Sequence, residues 1–271
     1  MVQADTARAA FLGLRVVITG ASSGLGEALA LEYAQRHPHA VFALMARRHD
    51  CLVDLAARLS PATVRTYAID ITDRAALADA AGKFMAEFGA PDIVIANAGI
   101  SAGTLTAERA DAPVFRRIID VNVVALFDTL AAFLPAMRAR RSGTLVGIAS
   151  VAGIRGLPGA GAYSASKSAA ITYLESLRLE EREHGIRVVT IAPGYIRTPM
   201  TAANHYRMPF LMPADAFARR AVDAIAGGRS FVVIPRPMRV VALVLRALPN
   251  WLYDALFARA PRKARIAGDP S

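Results

Sequence analysis

Short apolar runs alternate with amphipathic helical stretches along almost the whole chain, and this alternation narrows the possible folds more than any other feature. The runs are "RVVIT" (15–19), "AVFALM" (40–45), "TVRTYAID" (63–70), "DIVIANA" (92–98), "TLVGIAS" (144–150), "IRVVTIAP" (186–193) and "FVVIP" (231–235). They are rich in β-branched residues and too short for helices, so they read as strands. Helical periodicity falls between them, at 27–37, 51–59, 73–88, roughly 111–140, roughly 161–184 and 214–226. Strands that are apolar along their whole length are buried on both faces, which requires parallel strands with helices packed above and below. The expectation is an α/β protein built on a doubly wound parallel sheet of seven strands, one domain over residues 1–235. Residues 236–271 leave the pattern and are expected to form a C-terminal helical extension.

Composition removes several alternatives. A 271-residue chain with 54% hydrophobic residues is not disordered. The single cysteine, Cys51, rules out an internal disulfide framework and reads as filler, and the histidines at 37, 39, 49, 184 and 205 show no metal-ligand spacing. His205 reads as a lining or exposed residue. With no basic-then-apolar leader and no run of about 18 uncharged apolar residues, a cytoplasmic protein is expected. The formal charge of +10 suits an anionic membrane, a phosphorylated ligand or nucleic acid. Its main cluster, Arg138-Ala-Arg140-Arg141, lacks aromatic neighbours and reads as a solvated helix end facing the helix dipole, so no nucleic-acid partner is expected.

The first strand ends in "TGASSGLG" (19–26) and runs directly into a helix. Gly20, Gly24 and Gly26 allow a tight turn and a close ligand approach, while Ser22, Ser23 and Leu25 lie at the helix entrance, whose free N–H groups favour a pyrophosphate. At the end of an apolar strand this marks a Rossmann-type dinucleotide site. An NAD-binding chain is expected to show an acid at the end of the second strand, for the ribose 2′-hydroxyl. Here that strand ends in "ALMARR" (43–48), and Arg47 and Arg48 suit a 2′-phosphate. NADP(H) is therefore expected in preference to NAD(H).

In "YSASK" (163–167) Tyr163 and Lys167 stand four apart on a helix, close enough for the ammonium to favour the phenolate and lower the tyrosine pKa. Further residues stand in order around this pair. Asp70-Ile71 follows the third strand, Asn97-Ala98-Gly99 the fourth, Asn122 lies in the long helix, Ser150 ends the fifth strand, and Pro193-Gly194 with Ile196 and Thr198 follows the sixth. Over residues 10–235 the chain resembles the classical short-chain dehydrogenases/reductases. The resemblance implies carbonyl–alcohol interconversion, with Tyr163 as general acid or base and Ser150 bonded to the substrate oxygen. Lys167 would hold the nicotinamide ribose and depress the tyrosine pKa, and Asn122 would support a water linked to that lysine. Asp70 would meet the adenine, Asn97 would brace the turn after strand four, and Thr198 with the Ile196 backbone would anchor the carboxamide. It also implies homodimers or homotetramers, paired through the long helix and the tyrosine-bearing helix.

The segment "PGYIRTPMTAANHYRMPFLMPADAF" (193–217) carries Tyr195, Met200, Tyr206, Met208, Phe210, Leu211 and Met212, an adaptable lining for an apolar carbonyl or alcohol substrate. Arg155, in the glycine-rich arch between Ser150 and Tyr163, reads as solvated. The tail, 237–265, reads as two helices broken at Pro249, with Asn250 capping the second. Its apolar body, Trp251 and basic end fit either a peripheral membrane contact or a lid over the cleft or a neighbouring subunit. The alternative functions are a catalytically silent dinucleotide-binding sensor or a basic membrane-surface binding protein.

Overall fold

The computed structural model describes residues 13–202, 204 and 206–265; His205 lies outside them. Strand and helix alternate as expected: β1 (Arg15–Thr19), α1 (Gly24–Arg36), β2 (Val41–Ala46), α2 (His49–Arg58), β3 (Thr63–Ala68), α3 (Arg74–Phe88) and β4 (Ile93–Ala96). The second half continues with α4 (Ala112–Ile119), α5 (Ala125–Arg140), β5 (Gly143–Ile148), α6 (Gly161–Glu180) and β6 (Ile186–Pro193). A short pair, β7 (Ile196–Arg197) and β8 (Met212–Pro213), brackets α7 (Pro199–Ala202); α8 (Ala214–Ala226) and β9 (Phe231–Ile234) follow. The tail forms α9 (Arg236–Ala247) and α10 (Asn250–Phe257).

The seven-stranded sheet has the order β3-β2-β1-β4-β5-β6-β9, parallel throughout. Period-two alternation divides its residues between two cores. Val16, Ile18, Phe42, Leu44, Val146 and Val189 face a layer built from Leu29 and Tyr33 of α1, Leu52 and Leu55 of α2, and Phe217 and Ile225 of α8. Val17, Ala43, Met45, Val94, Leu145 and Val188 face α3, α5 and α6 through Phe84, Phe133 and Leu174. Both faces are covered, which is why the strands read as continuous apolar runs. Strand order reverses between β1 and β4, opening a crevice at their carboxyl ends.

The long helical stretch departs from regularity where it matters for the site. Between α4 and α5 the chain makes a π-helical turn, Asp120–Val124. This widened turn contains Asn122, whose side chain bonds to neighbouring segments; such turns often occur at functional positions. The stretch Arg109–Arg140 is long and apolar enough by composition to cross a membrane. It is a core helix here, with Val114, Ile118, Leu126, Leu130, Phe133 and Met137 buried. On the faces from which subunit pairing is expected, Phe115, Val124, Phe127 and Leu179 are exposed.

The arginine cluster sits at the end of α5 with Arg138 and Arg141 exposed, as expected, and is pinned as well: Arg138 donates to the fully buried Glu181 carboxylate, and Arg140 to the carbonyls of Ala90 and Pro91. Two expectations for single residues need correction. Arg155 is engaged, donating to the carbonyls of Leu248 (2.8 Å) and Leu245 (3.3 Å) and lying 4.3 Å from the Tyr253 ring centre. Asn250 does not cap α10. Pro249 takes the cap position, and Asn250, the first helical residue, accepts a hydrogen bond from Arg155 through its amide oxygen. The guanidinium drawn to the end of α9 takes the oxygen that capping would have used.

Candidate active site

The glycine-rich turn hangs on the end of β2, with Gly20 N–H donating to the Met45 carbonyl at 2.8 Å. Gly20 has φ +67°, and a Cβ there would lie 2.8 Å from Ala98 Cα; at Gly26 a Cβ would lie 2.3 Å from the Gly20 carbonyl oxygen. Side chains cannot be accommodated at these positions, so the backbone of 20–26 forms a bare cradle at the entrance of α1. Ser23 stands at the N-cap of α1 without a side-chain cap bond, which leaves the first N–H groups of the helix for an anion. This cradle fits a pyrophosphate. Asn97 locks it to β4, donating through Nδ2 to the carbonyls of Thr19 (2.9 Å) and Gly20 (3.2 Å), while Thr19 Oγ1 accepts from the N–H groups of Asn97 and Ala98. Thr19, which opens the motif, thus braces the turn against β4.

Arg48 lies across this turn, donating to Ser23 Oγ at 2.7 Å and to Ser22 Oγ at 3.0 Å, and Arg47 is exposed at the same strand end. Asp70 is held on both carboxylate oxygens. Oδ1 accepts from the Thr72 N–H and hydroxyl, and Oδ2 accepts from Arg117 at 2.6 Å. Burial opposes its ionisation, but these hydrogen bonds and the Arg117 charge outweigh it and hold the carboxyl at about 2. Arg117 sits 47 residues away, and no local pattern pointed to it. At the far side of the turn Thr198 faces Gly24, with its Cβ 3.4 Å from where a Gly24 side chain would begin. Thr201 positions this corner: its hydroxyl donates to the Ile196 carbonyl at 2.6 Å and accepts from the Thr198 N–H at 3.0 Å. Gly194 N–H donates to the Ile234 carbonyl at 2.7 Å, and Met238 of α9 packs against Gly194.

At the carboxyl ends of β4 and β5, Asn122, Ser150, Tyr163 and Lys167 come together. Asn122, 1% exposed, accepts from Ile100 N–H at 2.9 Å and donates to the Ile100 carbonyl and to Ser166 Oγ; Ser166 in turn donates to the Tyr163 carbonyl. This knot ties the segment after β4 to α6. Ser150 caps the turn Val151–Gly153, accepting from the Ala152 N–H at 3.1 Å, and its hydroxyl lies close enough to the Tyr163 phenol to favour the ionised form. Lys167 is 4% exposed; its Nζ donates to the Ile148 carbonyl at 2.8 Å and lies beside Gly99 and Asn122 Oδ1.

The expected depression of the Tyr163 pKa is not what the chain's own groups produce. Burial pushes the phenol up, and the nearby Ser150 hydroxyl only partly offsets this. The ammonium sits 6.0 Å from the Tyr163 ring centre and spends its hydrogen bond on Ile148. Burial also acts on Lys167 itself, lowering it to about 8. Spacing of four on a helix brings the two residues together without aiming one at the other. Of the substrate segment, Tyr195 and Tyr206 meet edge to face at 6.3 Å, and Tyr206 is raised by burial and by the nearby Tyr195 and Tyr163. Met212, expected in the lining, is buried in the core beside α8.

A parallel sheet with a glycine cradle at its switch point, and a Ser–Tyr–Lys group beside it, defines a dinucleotide-binding oxidoreductase. The short-chain dehydrogenase family model matches residues 15–208. The chain belongs to that family. It is 41% identical over 245 residues to an uncharacterized oxidoreductase of Myxococcus xanthus, covering 90% of this chain and 96% of that protein. Among solved structures it resembles L-sorbose reductase from Gluconobacter frateurii, complexed with NADPH and L-sorbose (25% identity, 83% of this chain and 95% of that one, TM-score 0.74). In fold it also matches a short-chain dehydrogenase/reductase from Burkholderia phymatum in complex with NAD (22% identity, 96% and 98% covered, TM-score 0.78).

Proposed function

We propose that the protein interconverts a carbonyl and an alcohol using NADP(H), with Tyr163 as the acid for reduction and the base for oxidation. The carrying observation is the convergence of Ser150, Tyr163 and Lys167 at the end of β5, with the buried Lys167 ammonium held by the Ile148 carbonyl 6.0 Å from the Tyr163 ring centre. A nicotinamide dinucleotide held along the 20–26 cradle supplies the hydride. The chain's own residues do the rest. Ser150 presents a hydroxyl to the substrate oxygen and stabilises charge developing there. Tyr163 passes a proton to that oxygen or takes one from it. Lys167, charged in its dry pocket, favours the phenolate once the proton has left, and the Asn122–Ser166 bond keeps α6 in register with the β4 turn.

Arg48, lying on Ser22 and Ser23, supports NADP(H) over NAD(H), since a guanidinium there suits a 2′-phosphate. The structural relatives include both an NADPH and an NAD complex, so the preference rests on this arginine pair. Tyr195 and Tyr206 beside Tyr163 support a substrate with an apolar body. The outer face of the tail, where Val240, Leu243, Val244, Trp251 and Leu256 are exposed, supports a peripheral membrane contact as well.

The test is a panel of ketones, aldehydes and alcohols followed by reduced-cofactor absorbance, with NADPH and NADH in parallel. Tyr163→Phe is expected to bind NADPH normally while kcat falls by about 10²–10⁴. Near-wild-type turnover in that variant removes Tyr163 from the role.

A further inference from the structure

After α10 the chain does not leave the body; it returns across the mouth of the site as a strap, residues 258–265. Its path is built in at both ends. Tyr253 anchors α10, its hydroxyl donating to the Gly156 carbonyl at 2.6 Å beneath the Arg155 guanidinium. Gly103 N–H donates to the Ala264 carbonyl at 2.9 Å, and Arg265 pairs with Asp111 (2.9 Å) and Glu108 (3.4 Å). Two glycines of the body make room for it. A Cβ at Gly103 would lie 2.3 Å from the Lys263 carbonyl oxygen, and one at Gly159 would lie 2.8 Å from Arg262 Cβ.

The strap delivers one group to the chemistry. Lys263 is one of three lysines among 32 basic residues, and its Nζ lies 5.6 Å from the Tyr163 ring centre. It donates to Ser101 Oγ at 2.6 Å, and among the described residues no carboxylate pairs with it, whereas Arg265 two positions on has two. Burial lowers Lys263 to about 8. A half-buried ammonium met by a hydroxyl and an aromatic ring but by no carboxylate among the described residues is costly unless an anion meets it.

We infer that Lys263 reads the substrate: it binds an anionic group, such as a carboxylate, borne close to the carbon that reacts at Tyr163. With the Tyr195–Tyr206 ring pair in the substrate segment and Tyr206 near Tyr163, the substrate class is an oxo acid, or the matching hydroxy acid, with an apolar body. This rests on Tyr163 as the acid and base, proposed above. An anion meeting that ammonium gains a charge-assisted hydrogen bond, worth roughly 10- to 100-fold in affinity.

The experiment compares 2-oxo-4-phenylbutanoate with its ethyl ester, using NADPH and full-length wild type, Lys263→Met and Lys263→Arg, with thermal melting as a check on folding. The wild type is expected to favour the acid by kcat/KM. In Lys263→Met the acid-to-ester ratio of kcat/KM falls roughly 10- to 100-fold, and Lys263→Arg, which keeps the charge, retains most of it. A ratio unchanged in Lys263→Met, or a wild type that reduces the ester and rejects the acid, overturns Lys263 while leaving the Tyr163 reading intact. A ratio lost equally in Lys263→Arg and Lys263→Met also overturns it, because charge would then not be what counts. A wild type that binds NADPH but reduces neither compound, nor any carbonyl of the wider panel, overturns both readings.

Discussion

The buried ammonium of Lys167 has a stability signature that can be read without substrate. Its pKa falls from 10.5 to about 8 on folding, with desolvation as the cause. Between those values the unfolded chain binds a proton at this residue that the folded chain has released. Stability therefore rises with pH across the window, since the slope follows protons bound unfolded minus protons bound folded. The contribution is fully present above 10.5 and is lost as pH falls through about 8. Integrated from pH 8 to pH 10, it comes to about 2 kcal/mol. No discount for solvent screening applies, because the side chain is 4% exposed. Lys263 titrates in the same sense, so the informative quantity is a difference between two proteins. Urea unfolding of wild type and Lys167→Met at pH 8, 9 and 10, in cofactor-free protein, gives that difference. The wild-type free energy is expected to climb by about 2 kcal/mol more than that of the variant. Parallel curves would show that the folded Lys167 keeps an ordinary pKa, and the picture of a dry, strained cation beneath Tyr163 would fall.

Two further outcomes follow from exposed surfaces of the molecule. Replacing Arg47 and Arg48 together by Ala is expected to weaken NADPH binding about 10- to 100-fold and NADH by far less, as loss of hydrogen bonds to a charged phosphate requires; equal losses in titration calorimetry would show that neither side chain reads the 2′-phosphate. Full-length protein is expected to float with anionic vesicles at low salt and to be released at high salt, and the double variant Trp251→Ser, Leu256→Ser to stay behind, because these residues are 72% and 62% exposed on the tail. If wild type and variant float alike, or neither floats, the tail surface has no membrane role.

What the sequence made legible divides cleanly by the range of the interaction. The strands were readable because burial on both faces leaves a continuous apolar run, and the 20–26 turn because its glycines are demanded by backbone crowding within a few residues and by Ala98 and Asn97 at the next strand end. Asn97, Asn122, Ser150, Tyr163 and Lys167 were found as an ordered set, and the fold brings them to one crevice. Thr201 and Ser166 were missed, although each stands within a few residues of one that had been singled out. Their signal is weak because a hydroxyl that braces a backbone looks like any other serine or threonine.

The larger misses came from groups whose partners lie far along the chain. Arg117 reaches Asp70 across 47 residues, Arg155 reaches Asn250 across 95, and Lys263 reaches Ser101 across 162. Periodicity carries no information about such pairs, and so Arg155 read as solvated, while the tail read as a lid, a membrane helix or both. One face of the tail is committed to the body through Met238, Ala242 and Tyr253, while Val240, Leu243, Trp251 and Leu256 point away from it. The committed inner face and the exposed outer face are compatible with the proposed strap and with the proposed membrane contact alike. The Tyr163–Lys167 pair teaches the same lesson at close range. Spacing brought two side chains into contact, but the direction of one ammonium, set by the Ile148 carbonyl, decided that burial and not charge governs the phenol in the chain alone.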